Sequence, residues 1–487
     1  MRLYLPRNID LAALIYENPP PFKPFKRDKL RYIIHLIITI SQYKKDLLSE
    51  EFVPIHSQTL QKKIQNYKEY LDYLIDDLKI VECNNHYIVG FKSKGYRLVE
   101  KYRKSSLESI QVEDLVLRKA LRRQKTSIDS TVLNHNYITK WFDKNKVKID
   151  LPFVKHFLDE ELKLKLANMH LWDVDRSSKK KKNPWNQYNH AIVSAENLDR
   201  GDYHLLLDNN VFRLHTNLTN MRSIVRNALT YDGQKLISVD IKNSQPYLST
   251  VLFREGFWLG EYYQDKTRLN KTFSRTQNDP FININGLITI NNIKVTEIDS
   301  YIMLGENALD LENKDFGKYI DLVVNGQLYD FLEKEFGKNL GVRYCNRQEV
   351  KAAVFQVLFT DNRFIGQKEA APKKMFQGLF ADVYDVFAKI KRQDSTLLPR
   401  LLQSIESYLI IDVIAKRISL EYPDAPIFTI HDSITTTEEY VESVTKIMQE
   451  ELVRAIGYAP VLQTERWDKI KIVDYLVKLE NKSRAVA

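Results

Sequence analysis

A chain of 487 residues with a formal net charge of +10 and a pI near 9.1 is long enough for about two to four cores, and its basic balance favours a polyanionic partner, nucleic acid before membrane. Scarce glycine (15) beside 27 tyrosines and 22 phenylalanines excludes a disordered or fibrous chain. The only cysteines, Cys83 and Cys345, exclude a disulfide framework or a Cys-based zinc site and fit a reducing, cytoplasmic setting. The N-terminal stretch MRLYLPRNIDLAAL has no apolar core followed by small residues, so no signal peptide is expected, and the apolar run from Tyr32 to Ile40 is too short to cross a bilayer.

Residues 1–26 carry five prolines and little periodicity, which predicts an extended arm. Leu30, Ile33, Ile34, Ile37 and Ile38 recur at helical spacing and predict a helix from Arg27 to about Tyr43. A short helix through Leu60 and Ile64 follows. A longer one places Tyr67, Leu71, Leu74, Ile75 and Leu78 on one face. KIVEC and YIVGF then read as strands joined by an Asn84-Asn85 turn, with GYRLV after them. Three helices and a hairpin within residues 27–105 read as a winged helix. Its Lys62, Lys63 and Lys68, and Lys92, Lys94 and Arg97 on or after the wing, are candidate phosphate contacts. A winged helix used for protein docking would show the same pattern with these cations on a solvated face.

Residues 106–200 read as a helical linker or thumb-like region. The run Lys179–Lys182 beside Trp185 and Tyr188 suits single-stranded nucleic acid, or a mobile solvated loop. Residues 201–487 carry the chemistry. Arg213, Arg222 and Arg226 cluster ahead of an apolar strand of Leu236, Ile237 and Val239 that ends in Asp240. Ile427, Phe428 and Ile430 form a second such strand, ending in His431 and Asp432. Each aspartate on its own could simply cap a turn. Two carboxylates about 4 Å apart would repel by roughly 4 kcal/mol at an effective dielectric near 20. A pair of Mg²⁺ ions, with Mn²⁺ as the alternative, turns that repulsion into a clamp for phosphoryl transfer. Between the two lies NRQEVKAAVFQVLFTD, where Arg347, Lys351, Phe355 and Phe359 fall at i, i+4, i+8 and i+12. One helical stripe thus offers cations to a triphosphate and rings to a base, or else an ordinary amphipathic helix points its phenylalanines at the core. Residues 255–315 read as an insertion with no assignable chemistry.

In this order, the pieces resemble the polymerase module shared by family A DNA polymerases and the single-subunit RNA polymerases of phages and mitochondria. SVDIKNSQPYL is similar to motif A, the Arg-x-x-x-Lys-x-x-x-Phe-x-x-x-Phe helix to motif B, and the His431-Asp432 dipeptide to motif C. The arginines of FRLHTN and IVRNAL, and Gln403 in LLQSIESYLIIDVIAKRI, also fall where the family has counterparts. The resemblance covers about residues 205–475. It implies an α+β right-hand fold of palm, fingers and thumb behind an N-terminal winged helix. Asp240 and Asp432 would hold two metal ions, and Arg347, Lys351, Phe355, Phe359 and Gln245 would bind the nucleotide. Arg213, Arg226, Gln403 and His431 would lie on nucleic acid. The implied partners are nucleoside triphosphates and a primer–template of DNA, with RNA as the alternative.

Ser433, Gln245 and Phe359 depart from the DNA-polymerase pattern, and no proofreading domain is apparent. The expectation is a DNA polymerase with weak sugar discrimination. The alternatives are a single-subunit RNA polymerase or primase, and a non-catalytic replication initiator built on a polymerase-like core.

Overall fold

The structure, a computed structural model, describes residues 2–43, 52–88, 93–125, 133–175, 180–254, 257, 314–341, 346–392 and 394–484. Lys92, Lys179, most of YIVGF and nearly all of the 255–315 insertion lie outside these residues.

Buried apolar side chains sort into two cores. The smaller runs from Leu3 to Leu121 and takes in Val193 of the helix Pro184–Asp199. The larger runs from Ile138 to Ile472. The helices Leu151–Ala167 and Pro184–Asp199 bury their apolar faces in the larger core, the second also lending Val193 to the smaller.

In the smaller core the helix Arg27–Tyr43 turns Leu30, Ile33, Ile34 and Ile37 inward, as their spacing dictates. The helices Ser57–Gln61 and Tyr67–Asp72 follow, and the second continues through a wide turn to Asp77. A three-stranded sheet ordered Val53–Pro54, Gly95–Leu98, Val81–Cys83 closes the unit. Val81–Cys83 pairs in register with Gly95–Leu98. The first residues are not an extended arm. Arg2–Pro6 is a strand paired with Leu107–Gln111, with Leu3, Tyr4 and Leu5 buried, and Leu11–Glu17 is a helix capped by Asp10. Alternation of short apolar residues with single prolines suffices for a two-stranded edge, where a missing N–H is tolerated.

The larger core is built on a six-stranded antiparallel sheet. Its central strand, Gln234–Ile241, pairs with Ser433–Thr437, with Leu462–Arg466 and, through the Asp232-Gly233 turn, with Leu229–Tyr231. Val147–Ile149 lies at one edge and Phe428–Ile430 at the other. Leu236, Ile237, Ser238 and Val239 are buried in succession, as expected of a strand covered on both faces. Around the sheet pack the helices Lys314–Val324, Leu328–Leu340, Arg347–Phe359, Val441–Ile456 and Lys469–Arg484, and the long helical run from Leu397 to Glu421. That run widens into a π-helical stretch over Tyr408–Ala415, beside the edge strands that carry Asp432. Among the described residues no helix is long and apolar enough to cross a membrane.

Candidate active site

Asp240 is the penultimate residue of the central strand, and its register partner across the sheet is Ser433. Ile430 pairs with the same Ser433 from the other side, so His431 and Asp432 are the two-residue tip of a hairpin. The tip therefore carries Asp432 to the end of the strand that holds Asp240. His431 adopts the left-handed region (φ 56°), and so does Asn243, three positions past Asp240 (φ 57°). Asn and His are among the non-glycine residues that tolerate this region best, yet such residues cost about 1–3 kcal/mol unless their surroundings enforce them. Both bends are thus built features that turn the chain sharply beside each carboxylate.

The two carboxyls are close enough that the charge of Asp432 acts directly on Asp240. Asp240 opens to solvent on one side. The packing beneath it, the charge of Asp432 and that of Glu465 on Leu462–Arg466 together push its carboxyl well above the ordinary carboxylate range. Lys351 opposes them. A second acidic group, absent from the sequence reading, stands behind the pair. Glu406 is 2% exposed on the helix Leu397–Ser407, and burial with the charge of Asp432 pushes its carboxyl up to about 7. Glu406 Oε1 accepts two hydrogen bonds from Arg213, from Nε at 2.9 Å and Nη2 at 2.6 Å, and Oε2 accepts one from Gln245 Nε2 at 2.6 Å.

The helix Arg347–Phe359 turns its aliphatic side chains inward, and Phe359 also packs against the larger core. Val350, Ala353, Val354, Val357 and Leu358 are buried, whereas Arg347 and Lys351 are exposed and Phe355 and Phe359 half-buried. The two rings stack at 5.3 Å, and the Lys351 ammonium lies 5.8 Å from the Phe355 ring. Arg347 ion-pairs with Asp330 and lies 5.6 Å over Tyr329. Two buried lysines, Lys373 and Lys391, donate to the carbonyls of Val357, Thr360 and Asp361 and so satisfy the end of this helix.

Several expected nucleic-acid contacts have partners within the chain. Arg213 is held by Glu406. Arg222 makes a bidentate pair with buried Glu161, and Arg226 turns Nη2 onto the Met221 carbonyl. Each is half-buried and met by a carboxylate or carbonyl, which offsets the cost of its partial desolvation. In the smaller unit, Lys63 donates to the Ala120 carbonyl, and Arg97 pairs with Glu82 at 2.6 Å while lying 4.3 Å over Phe52. Lys94 is bonded to Asn85. Lys180 to Lys182 are not a loose loop: Lys181 bridges Val174, and Lys182 pairs with Asp175. Gln403 is half-buried and His431 exposed, both near the long helix and the hairpin tip that frame the site.

Among the described residues no three His, Cys, Asp or Glu side chains gather around a point that could hold a metal ion. The donor set that is present, two adjoining carboxylates with excess negative charge, suits a hard cation that keeps its own waters and shares oxygens with a phosphate substrate. No protein-family model matches the chain, and no curated protein matches it. Among solved structures it is similar to the POL domain of Pol1 from M. smegmatis in complex with DNA primer-template and dNTP, with 10% identity, a TM-score of 0.34 and 73% of each chain covered. A likeness at that score and identity is too distant to assign a fold or an activity.

Proposed function

We propose that the chain is a template-directed nucleotidyltransferase that joins a 3′-hydroxyl to the α-phosphate of a nucleoside triphosphate and releases pyrophosphate. The observation that carries this reading is the meeting of Asp240 and Asp432 at the end of one central strand, with Lys351 of an outward cation-and-aromatic stripe as their counter-charge. Asp240 and Asp432 would hold divalent cations, which, when bound, supply charge neutralisation at the attacking and leaving oxygens. Lys351 and Arg347 attract the triphosphate, and Arg347 must exchange its contact with Asp330 to do so. The stacked Phe355 and Phe359 offer a flat apolar surface to the base. A binding module would need the cations and rings but not a costly pair of crowded carboxylates, which favours an enzyme over a non-catalytic initiator. The test is primer extension on DNA and RNA templates with each class of nucleotide. No Mg²⁺-dependent product on any of them rejects the reading.

The carboxylate pair also predicts a linked pH and metal effect on stability. Asp240 is raised in the folded state, so the unfolded chain loses that proton first, and stability falls as pH rises from the ordinary carboxylate range towards the raised one. A cation bound at the pair offsets this where the carboxyls are ionised. Mg²⁺ at ten times its dissociation constant is expected to stabilise the chain by about 1.4 kcal/mol at pH 8. It should do much less at pH 5. Thermal denaturation with and without Mg²⁺ at the two pH values checks this, and an equal response in Asp240→Asn places the ion elsewhere.

We also infer that the smaller unit acts as a winged helix that binds nucleic acid. The cations left on its surface are fewer than the sequence suggests, chiefly Lys62, Lys68 and Lys94. Replacing these three by Ala in the full chain is expected to flatten the slope of log K against log salt on duplex DNA by up to about 2.7, at about 0.9 per phosphate contact. An unchanged slope assigns the unit to protein docking.

A further inference from the structure

The third helix of the smaller unit and the loop that joins Cys83 to Gly95 differ in charge. Along that helix, Tyr67–Asp72 continued to Asp77, the exposed charges are Lys68 against Glu69, Asp72, Asp76 and Asp77. Four carboxylates repel a phosphate backbone that comes within a Debye length, about 10 Å at ~0.1 M salt. The loop has the opposite character, for between Asn84 and Gly95 the sequence has no Asp or Glu. Its foot is fixed by Asn84 Oδ1, which accepts from the N–H groups of His86 and Gly95 at 3.1 and 3.0 Å, and by Asn85 in the left-handed region (φ 53°). Glycine is required at position 95, because a Cβ there would lie 2.5 Å from Phe52 Cβ. On this fixed foot Tyr87 and Ile88 stand 61% and 59% exposed. The Lys94 ammonium donates to Asn85 Oδ1 at 3.3 Å and lies 5.9 Å from the Tyr87 ring. An exposed ring beside a cation suits a nucleotide, whose base stacks on the ring while its phosphate meets the ammonium.

We propose that the smaller unit meets nucleic acid through this loop, with the Tyr87 ring stacked on a nucleobase, Lys94 on a neighbouring phosphate, and the acidic third helix turned away from the strand. This rests on the reading of the smaller unit as a nucleic-acid-binding module, and it names the surface used and the ligand chemistry, a base with an accessible face. An unpaired strand offers such a face directly, and a duplex offers one where a base step is opened. The usual docking of a helix-turn-helix unit, with one helix laid in the major groove, is disfavoured here by the carboxylates of that helix. Each part of the contact leaves its own trace. Stacking releases no counterion, so the ring sets the affinity without changing the salt slope, whereas the ammonium changes the slope.

The experiment measures log K against log salt for the full chain on a single-stranded oligonucleotide and on the duplex of the same sequence. Tyr87→Ala is expected to weaken binding about tenfold on at least one of them at every salt concentration, with the slope unchanged, and Tyr87→Phe, which keeps the ring, to retain most of the affinity. A loss on the single strand alone assigns the ring to an unpaired base, and a loss on the duplex assigns it to an opened base step. Lys94→Ala flattens the slope by about 0.7 on the single strand or about 0.9 on the duplex, and Lys68→Ala leaves it in place. Replacing Asp72, Asp76 and Asp77 together by Asn changes the affinity by less than about threefold, whereas a helix laid against phosphates would gain about tenfold or more from losing three like charges. Affinities that Tyr87→Ala leaves within about twofold on both probes, or a large gain from the three Asn substitutions, overturn this inference. If the Lys62, Lys68 and Lys94 substitutions still flatten the slope, the smaller unit remains a nucleic-acid-binding module that docks by another face. A slope that those three substitutions leave unchanged overturns that reading, and this one with it.

Discussion

Asp240→Asn and Asp432→Asn each abolish Mg²⁺-dependent incorporation, by about a thousandfold or more, while leaving the chain folded and slightly more stable. The loss of rate follows from the proposed role: a neutral amide holds a hard divalent cation far more weakly than a carboxylate does, and a thousandfold is about 4 kcal/mol of barrier. The gain in stability follows from the geometry alone. Two carboxyls in reach of one another repel, with Glu465 and Glu406 adding to the negative field, and turning either into an amide removes that repulsion and provides a donor for the other. At a site that opens to water the gain is on the order of 1 kcal/mol. The opposite signs separate this account from turn capping, under which losing an Asp side chain would cost stability and spare the rate. Primer-extension rates and thermal melts of both variants are the measurements. A residual rate within tenfold of the unsubstituted chain would remove the catalytic assignment.

The parts of this site that could be read from the sequence are those with local signals. The central strand was legible because it is apolar on both faces and stops at a charge. The stripe helix was legible because its cations and rings repeat every four residues while Val350, Val354, Val357 and Leu358 fill the other side. Glu406 was not legible, because it sits in LLQSIESYLII, an apolar helix in which one Glu looks like a surface residue. Only the approach of Arg213, 193 positions away in sequence, makes its burial possible. The partners of the arginines are distant in the same way. In sequence Arg213, Arg222 and Arg226 form one basic cluster, yet in space their partners are Glu406, Glu161 and a backbone carbonyl. Val147–Ile149 is only three residues long, too short for alternation to reveal that it joins the central sheet. The N-terminal strand was hidden by the prolines around it.

Arg213→Met is the substitution expected to cost the most stability, about 3–5 kcal/mol near pH 8, because it leaves Glu406 buried without its cation. Arg213 is 20% exposed on its side chain and Glu406 2%, so water cannot replace the lost guanidinium. The carboxyl is already pushed up to about 7 with Arg213 present, and without it the shift grows. The sign of the pH effect is therefore fixed. In the unfolded chain Glu406 ionises near its ordinary value of 4.5, whereas in the folded variant it keeps its proton to a higher pH. Protons are thus released on unfolding across that window, and the folded variant gains stability as pH falls. Urea unfolding at pH 8 and at pH 5.5 should show the defect shrinking by a large part at the lower value. Adding Glu406→Gln to Arg213→Met should recover much of the loss at pH 8 and flatten the pH dependence, since a neutral amide has no charge to strand. The sequence reading of Arg213 as a nucleic-acid contact predicts a different pattern: stability within about 1 kcal/mol of the unsubstituted chain, as for other surface changes, with primer–template affinity weakened and less dependent on salt. The two patterns share no outcome, so a denaturation series and one salt titration assign Arg213 either to the core or to the nucleic acid.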